Sequence, residues 1–138
     1  MIILDTNVIS ELMRGAPAPA VVRWVNARPA INLYVTSITQ AEILHGIQLL
    51  ARGKRRDALA AAAGEMFEHD FAGRILPFGS AAAIVYAEIA AARRGAGRPI
   101  SAFDAQIAAI VRVHDADLAT RNVDDFDRCG IDVIDPWR

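Results

Sequence analysis

Met1–Leu4 is an unbroken apolar run that stops at Asp5. A run so short and continuous reads as a strand buried on both faces. Such a strand needs helices on both sides of its sheet, and the rest of the chain supplies them. Helical spacing runs from a cap at Thr6 or Asn7 to about Arg14, where Gly15, Pro17 and Pro19 break it. It returns over Val21–Ala27, from about Gln40 to Ala51 after a cap at Ser37 or Thr39, from Ala58 to about Phe71, over Ser80–Arg94 and over Ser101–Val113. Short apolar runs lie between: Leu33–Val35, part of Arg74–Phe78, Leu118–Thr120 and Ile131–Ile134. The alternation predicts an α/β fold, a three-layer α/β/α arrangement with a mostly parallel central sheet. No linker, repeat or low-complexity tract divides residues 1–138, so one domain is expected.

Composition removes several classes of function. Hydrophobic residues make up 54% of the 138, but much of the excess is alanine inside helical periods, and no apolar run approaches the ~18–20 residues of a bilayer span. Asp5 interrupts the first apolar stretch and no basic segment precedes it, so a secretory signal is not expected. The single cysteine, Cys129, excludes an internal disulfide framework and a multi-cysteine zinc site; a reducing cytoplasm is the expected compartment, with no membrane partner. A net charge of -1 argues against a long electrostatic grip on nucleic acid, so such contacts must be local or helped by cations. Lys54 is the only lysine. Arg52, Lys54, Arg55 and Arg56 form one basic cluster, and Arg93, Arg94 and Arg98 another; each reads as a solvated face or as a grip on phosphates.

Ligands of open α/β sheets bind beyond the carboxyl ends of the strands. Asp5 follows the first strand directly, where burying a carboxylate is costly unless something satisfies it; it is either a helix cap or a metal ligand. Glu42 and Asp104 each lie on an otherwise apolar helical face, in what reads as a first turn, where an acid also favours the helix dipole. Three carboxylates at element starts along one sheet edge repel one another without cations, and hard oxygen donors suit Mg²⁺ or Mn²⁺. The segment 118–126 brings Thr120, Asn122, Asp124 and Asp125 towards the same edge, with Asp124 better explained as a solvated turn. Thr6 and Asn7 are placed to hold water or phosphate by hydrogen bonds, and Arg14 and Arg121 are the nearest candidates for contacts with a phosphate backbone.

The histidines His45, His69 and His114 lack metal-ligand spacing, Cys129 reads as a small turn residue, and Trp24 and Trp137 read as core or interface residues. GlyAlaGlyArgProIle at 95–100 lacks the third glycine of a dinucleotide fingerprint, and no P-loop is present. A phospho-receiver would want a lysine near the acids, and Lys54 falls in a connection. A haloacid-dehalogenase-like phosphatase would usually carry an aspartate where Asn7 stands.

In order along the chain, IleLeuAspThrAsnValIleSerGlu (3–11), SerIleThrGlnAlaGluIleLeuHisGlyIle (37–47), AlaPheAspAlaGlnIleAlaAla (102–109), AlaThrArgAsn (119–122) with a following AspPhe (125–126), and AspProTrp (135–137) resemble the PIN domain. Within it they resemble the VapC-type toxin ribonucleases and their FitB-like subgroup. The resemblance covers essentially the whole chain. It implies a metal-dependent endoribonuclease, the toxin of a type II toxin–antitoxin pair, which works with Mg²⁺ or Mn²⁺ at Asp5, Glu42 and Asp104. It also implies a homodimer inhibited by a VapB- or FitA-like antitoxin. The chain departs from the pattern at Asn122, which stands where FitB-like members have a fourth acid; Asp125 is the nearest substitute. A PIN-fold RNA- or protein-binding module with weakened catalysis is the alternative that this departure favours.

Overall fold

A computed structural model describes residues Met1–Arg138. The first strand, β1 (Ile2–Leu4), runs straight into helix α1 (Thr6–Leu12), and α2 (Pro19–Asn26) follows with proline in its first turn, where the missing N–H costs nothing. Strand β2 (Leu33–Thr36) leads into α3 (Ser37–Gln48), and α4 (Lys54–Glu65) continues as a π-helical turn, Met66–Asp70, before β3 (Ile75–Leu76). The long α5 (Ser80–Gly95) and α6 (Ala102–Val113) precede β4 (Asp117–Ala119), a 3₁₀ turn at Val123–Phe126, and β5 (Asp132–Ile134). The sheet has the order β3-β2-β1-β4-β5, and every pairing is parallel; the expected mostly parallel sheet is wholly so.

β1 lies at the centre, and the register pairs Ile3 with Leu118 and Leu4 with Ala119. Successive side chains of a strand point to opposite faces. Ile3 and Leu118 join the buried layer of α5 and α6, with Ile89, Ile107 and Ile110. Leu4, Val35 and Ala119 join the layer of α1–α4, with Val8, Ile43, Ile47 and Phe67. Each fully buried isoleucine or leucine contributes roughly 1.5–3 kcal/mol, and the two layers clamp the sheet from both sides. The chain leaves β1 for β2 on one side and reaches β4 on the other, so the direction of winding reverses between β1 and β4. That reversal opens a crevice at the carboxyl ends of both strands. No helix is long and apolar enough to cross a membrane.

Two local expectations need correction. α4 begins at Lys54, so Lys54, Arg55 and Arg56 form its first turn rather than a connection. α3 begins at Ser37 and is capped by Thr36, whose hydroxyl accepts from the Thr39 amide at 3.1 Å. Glu42 is therefore in the second turn of α3, beyond the strongest part of the helix dipole, and needs another reason to be there.

Candidate active site

The crevice is a pocket of about 370 Å³ lined by nine residues, among them Asp5, Glu42, Asp104, Thr6, Asn7 and Asn122. Asp5 is set by both neighbouring elements. Its backbone N–H donates to the Ala119 carbonyl at 2.9 Å, extending the ladder, and its own carbonyl accepts the first bond of α1 from Val8. One carboxylate oxygen accepts from the Thr6 amide at 2.8 Å and the other from the Thr120 hydroxyl at 2.8 Å. Asp5, rather than Thr6 or Asn7, is thus the cap of α1, and its carboxylate faces the crevice as well.

Thr120 is the hub of this polar seam. Having given its proton to Asp5, its oxygen accepts from the Asn7 amide group at 3.0 Å and from the Asn122 backbone N–H at 3.1 Å. The carbonyl of Asn7 in turn accepts from the Arg121 N–H at 3.2 Å. A second seam holds Glu42. The Thr6 hydroxyl donates to it at 2.9 Å. With that proton committed, Thr6 accepts from Thr39, whose hydroxyl lies at 2.9 Å. Thr39 is fully buried and was not legible in the sequence as a site residue. Asp104 stands in the first turn of α6, capped by Ser101, which accepts the Asp104 N–H at 3.2 Å. No buried side-chain nitrogen or oxygen is left without a partner.

All three carboxyls hold their protons more tightly than usual. Burial pushes Asp5 up from 3.8 to about 6, against the lowering effect of the hydrogen bonds from Thr120 and Thr6, while Asp104 and Glu42 add repulsion. Burial also raises Glu42, with Asp104 contributing, and raises Asp104, with Asp125 contributing. The donor set contains no thiol or imidazole, and it is poor in positive charge, which is the chemistry a hard divalent cation fits. No three acidic, histidine or cysteine side chains stand close enough together to hold a metal ion by themselves.

A pH dependence follows. An acid whose pKa is raised in the folded state favours folding when protonated, and that stability is lost as pH rises from about 4 through 6. For Asp5 the loss is roughly 3 kcal/mol. In chelator, the urea midpoint should therefore be higher at pH 5 than at pH 7.5. The difference should shrink in Asp5→Asn; an unchanged difference would acquit Asp5.

The other candidates separate. Arg121 lines the pocket. Arg14 does not: its guanidinium pairs with Glu11 at 3.1 Å, and it lines a neighbouring groove of about 730 Å³ with Met13, Ile43, Ile47 and Leu59. This groove shares Thr6, Ser10 and Glu42 with the pocket. Asp125 is outside the pocket, in the 3₁₀ turn, near enough to act on Asp104 through its charge. Asp124 is exposed. Trp137 and Ser10 are pocket residues that sequence reasoning did not place there.

Arg93 is a further surprise. It belongs to a run of arginines that reads as solvated, yet it is only 5% exposed. Its guanidinium donates to the carbonyls of Arg98 at 2.7 Å, Asp125 at 2.8 Å and Asp127 at 2.9 Å. It ties α5 to the turn that follows Asn122.

Known proteins resemble the chain over nearly its whole length. The PIN domain profile matches residues 2–131. The chain is 40% identical over 138 residues to VapC ribonuclease Y4jK of Sinorhizobium fredii, covering 99% of this chain and 98% of that one. It is 39% identical over 137 residues to Toxin FitB of Neisseria gonorrhoeae, covering 99% of each. Among solved structures, a chain of FitAB bound to an IR36 DNA fragment superposes with a TM-score of 0.94 at 38% identity, over 100% of this chain and 96% of that one.

Proposed function

Since the chain belongs to the PIN-domain family, we propose that it is a single-domain toxin ribonuclease, cleaving RNA phosphodiesters with a divalent cation held by Asp5, Glu42 and Asp104. The observation that carries this reading is three desolvated carboxyls on one crevice at the reversal of the sheet. A bound Mg²⁺ or Mn²⁺ supplies Lewis-acid activation of water and charge compensation at the phosphate. The chain's own residues supply position. Thr120 and the Thr6 amide fix both oxygens of Asp5, Thr6 and Thr39 fix Glu42, and Ser101 fixes the turn that carries Asp104. Side chains locked in this way need no reordering when substrate arrives. No cysteine or histidine lines the crevice, and Ser10 is its only serine.

The expected partner is an antitoxin whose apolar helix occupies the groove beside the crevice. A basic side chain entering past Thr6 and Glu42 would neutralise the carboxylates. A homodimer is expected to cover exposed apolar residues such as Ile84 and Phe103, which are 64% and 54% exposed. The direct test is cleavage of single-stranded RNA with Mg²⁺ or Mn²⁺ and its loss in chelator. RNA bound but never cut would support the binding-module reading that the neutral Asn122 favours.

Asn122 is proposed to complete the site as a neutral ligand to water, leaving any second cation weakly held. An amide offers one carbonyl oxygen and no charge. Asn122→Asp should tighten Mn²⁺ binding measured calorimetrically, by roughly tenfold for one added ligand charge, and should raise cleavage. If it changes neither, and Asp125→Asn abolishes cleavage, Asp125 is the fourth acid.

A further inference from the structure

Trp137 is the one apolar residue among the nine that line the carboxylate pocket. One side of the residue packs against the core layer of α1–α4. Its backbone is fixed, because its N–H donates to the Asp135 carboxylate at 2.9 Å and Pro136 before it is buried. A half-buried indole held in this way, at the mouth of an otherwise polar crevice, presents a flat surface in a defined place.

The cation above the indole is unengaged. The Arg121 guanidinium carbon lies 5.2 Å from the ring centroid. The side chain is exposed and makes no ion pair or hydrogen bond; only the backbone N–H of Arg121 is used, by Asn7. The other tryptophan shows what a closed pair looks like. Arg28 sits 3.7 Å over Trp24 and is pinned by a hydrogen bond to the Trp24 carbonyl at 2.6 Å, and Trp24 does not line the crevice. An exposed arginine gains only about 0.5–1 kcal/mol from such a ring, less than the roughly 1–3 kcal/mol of a base stacked on an aromatic side chain.

We propose that Trp137 and Arg121 form a nucleobase subsite beside the carboxylates. The indole stacks one base of the single-stranded RNA next to the scissile phosphate, and the Arg121 guanidinium passes from the ring to a phosphate. The inference rests on the ribonuclease reading for its substrate. Every base has a π-face, so the subsite holds the strand in place without selecting strongly among bases.

The test separates stacking from phosphate contact and from catalysis. The sequence has two tryptophans, so Trp24→Phe leaves Trp137 as the only tryptophan, which excitation at the red edge of the band separates from the tyrosines. In chelator, a short single-stranded RNA should quench its fluorescence saturably, and an abasic ribose-phosphate strand of the same length should not. With cation present, Trp137→Leu keeps an apolar side chain against the core but has no π-face. It should raise KM by roughly 10–100-fold with kcat little changed, and Trp137→Phe should recover most of the loss. Wild-type KM in Trp137→Leu, together with equal responses to RNA and abasic strand, would overturn the subsite. If the wild-type protein cuts no RNA but base-dependent quenching persists, the ribonuclease reading falls and the stacking subsite stands.

Discussion

Asp5→Asn should lower cation-dependent RNA cleavage by roughly 10²–10³-fold or more and, at pH 7.5 in chelator, make the protein more stable. The two effects have one cause. Asp5 is 4% exposed and carries a charge above pH 6 that its surroundings repay only in part. Asparagine removes that charge. It keeps an oxygen for the Thr6 amide, while its NH₂ obliges Thr120 to accept instead of donate and meets the Asn7 NH₂ with another donor. The net gain should therefore be smaller than the full desolvation cost, about 1–2 kcal/mol, or a rise in Tm of roughly 3–8 °C. Thermal melting and a cleavage assay on the same sample check both signs. An active variant would remove Asp5 from the chemistry, and an inactive but destabilised one would mean that its role in the fold outweighs its charge.

Arg93→Met should have the largest effect on stability of any single change to the basic residues, about 3–5 kcal/mol, since hydrogen bonds from a charged donor are worth roughly 1.5–3 kcal/mol each and three carbonyls lose theirs. Methionine fills much of the same volume, which isolates the lost bonds from the lost packing. The turn carrying Asp125 and Asp127 would be released from α5, and Asp104 would lose a nearby positive charge that holds its pKa down. Chemical denaturation measures the first effect. The second should appear as a rise in the pH needed for half-maximal cleavage. Arg94→Met, next in the chain and exposed, is the control that should do almost nothing.

These two residues mark the limits of what can be read before a structure. Asp5 was legible because it breaks a rule: an acid at the end of an apolar strand in a parallel sheet must be explained. Asp104 was legible because Ser101 and the apolar spacing after it place the start of a helix, and the resemblance in the flanking residues did the same for Glu42. The layers followed from the alternation of short apolar runs with helical periods, while the pairing of β1 with β4 was not legible there, because periodicity carries no strand order. Arg93 was not legible, because its partners are main-chain carbonyls at residues 98, 125 and 127, and carbonyls leave no trace in residue type. Thr39 and Trp137 were hidden for a related reason. A threonine or a tryptophan on a half-buried face looks the same whether it meets the core or the crevice, and only the packing of α3 and the final turn distinguishes the two. The start of α3 was misplaced by three residues because Thr36, Ser37 and Thr39 are all competent caps.

The hydrogen bond from Thr120 to Asp5 joins residues 115 positions apart, and the strand that carries Asp5 pairs with one that emerges last but one. Contacts so far apart in sequence raise the contact order of the fold, which slows folding in general. During synthesis, a chain that has not yet passed residue 119 has β1 without β4 beside it, and a crevice without Arg121, Asn122 or Trp137. The central strand is made first, but its site is finished only with the C-terminal segment. The crevice therefore exists only where residues 117–137 have folded against β1, so local unfolding of that segment would take the site apart while the central strand stays in place.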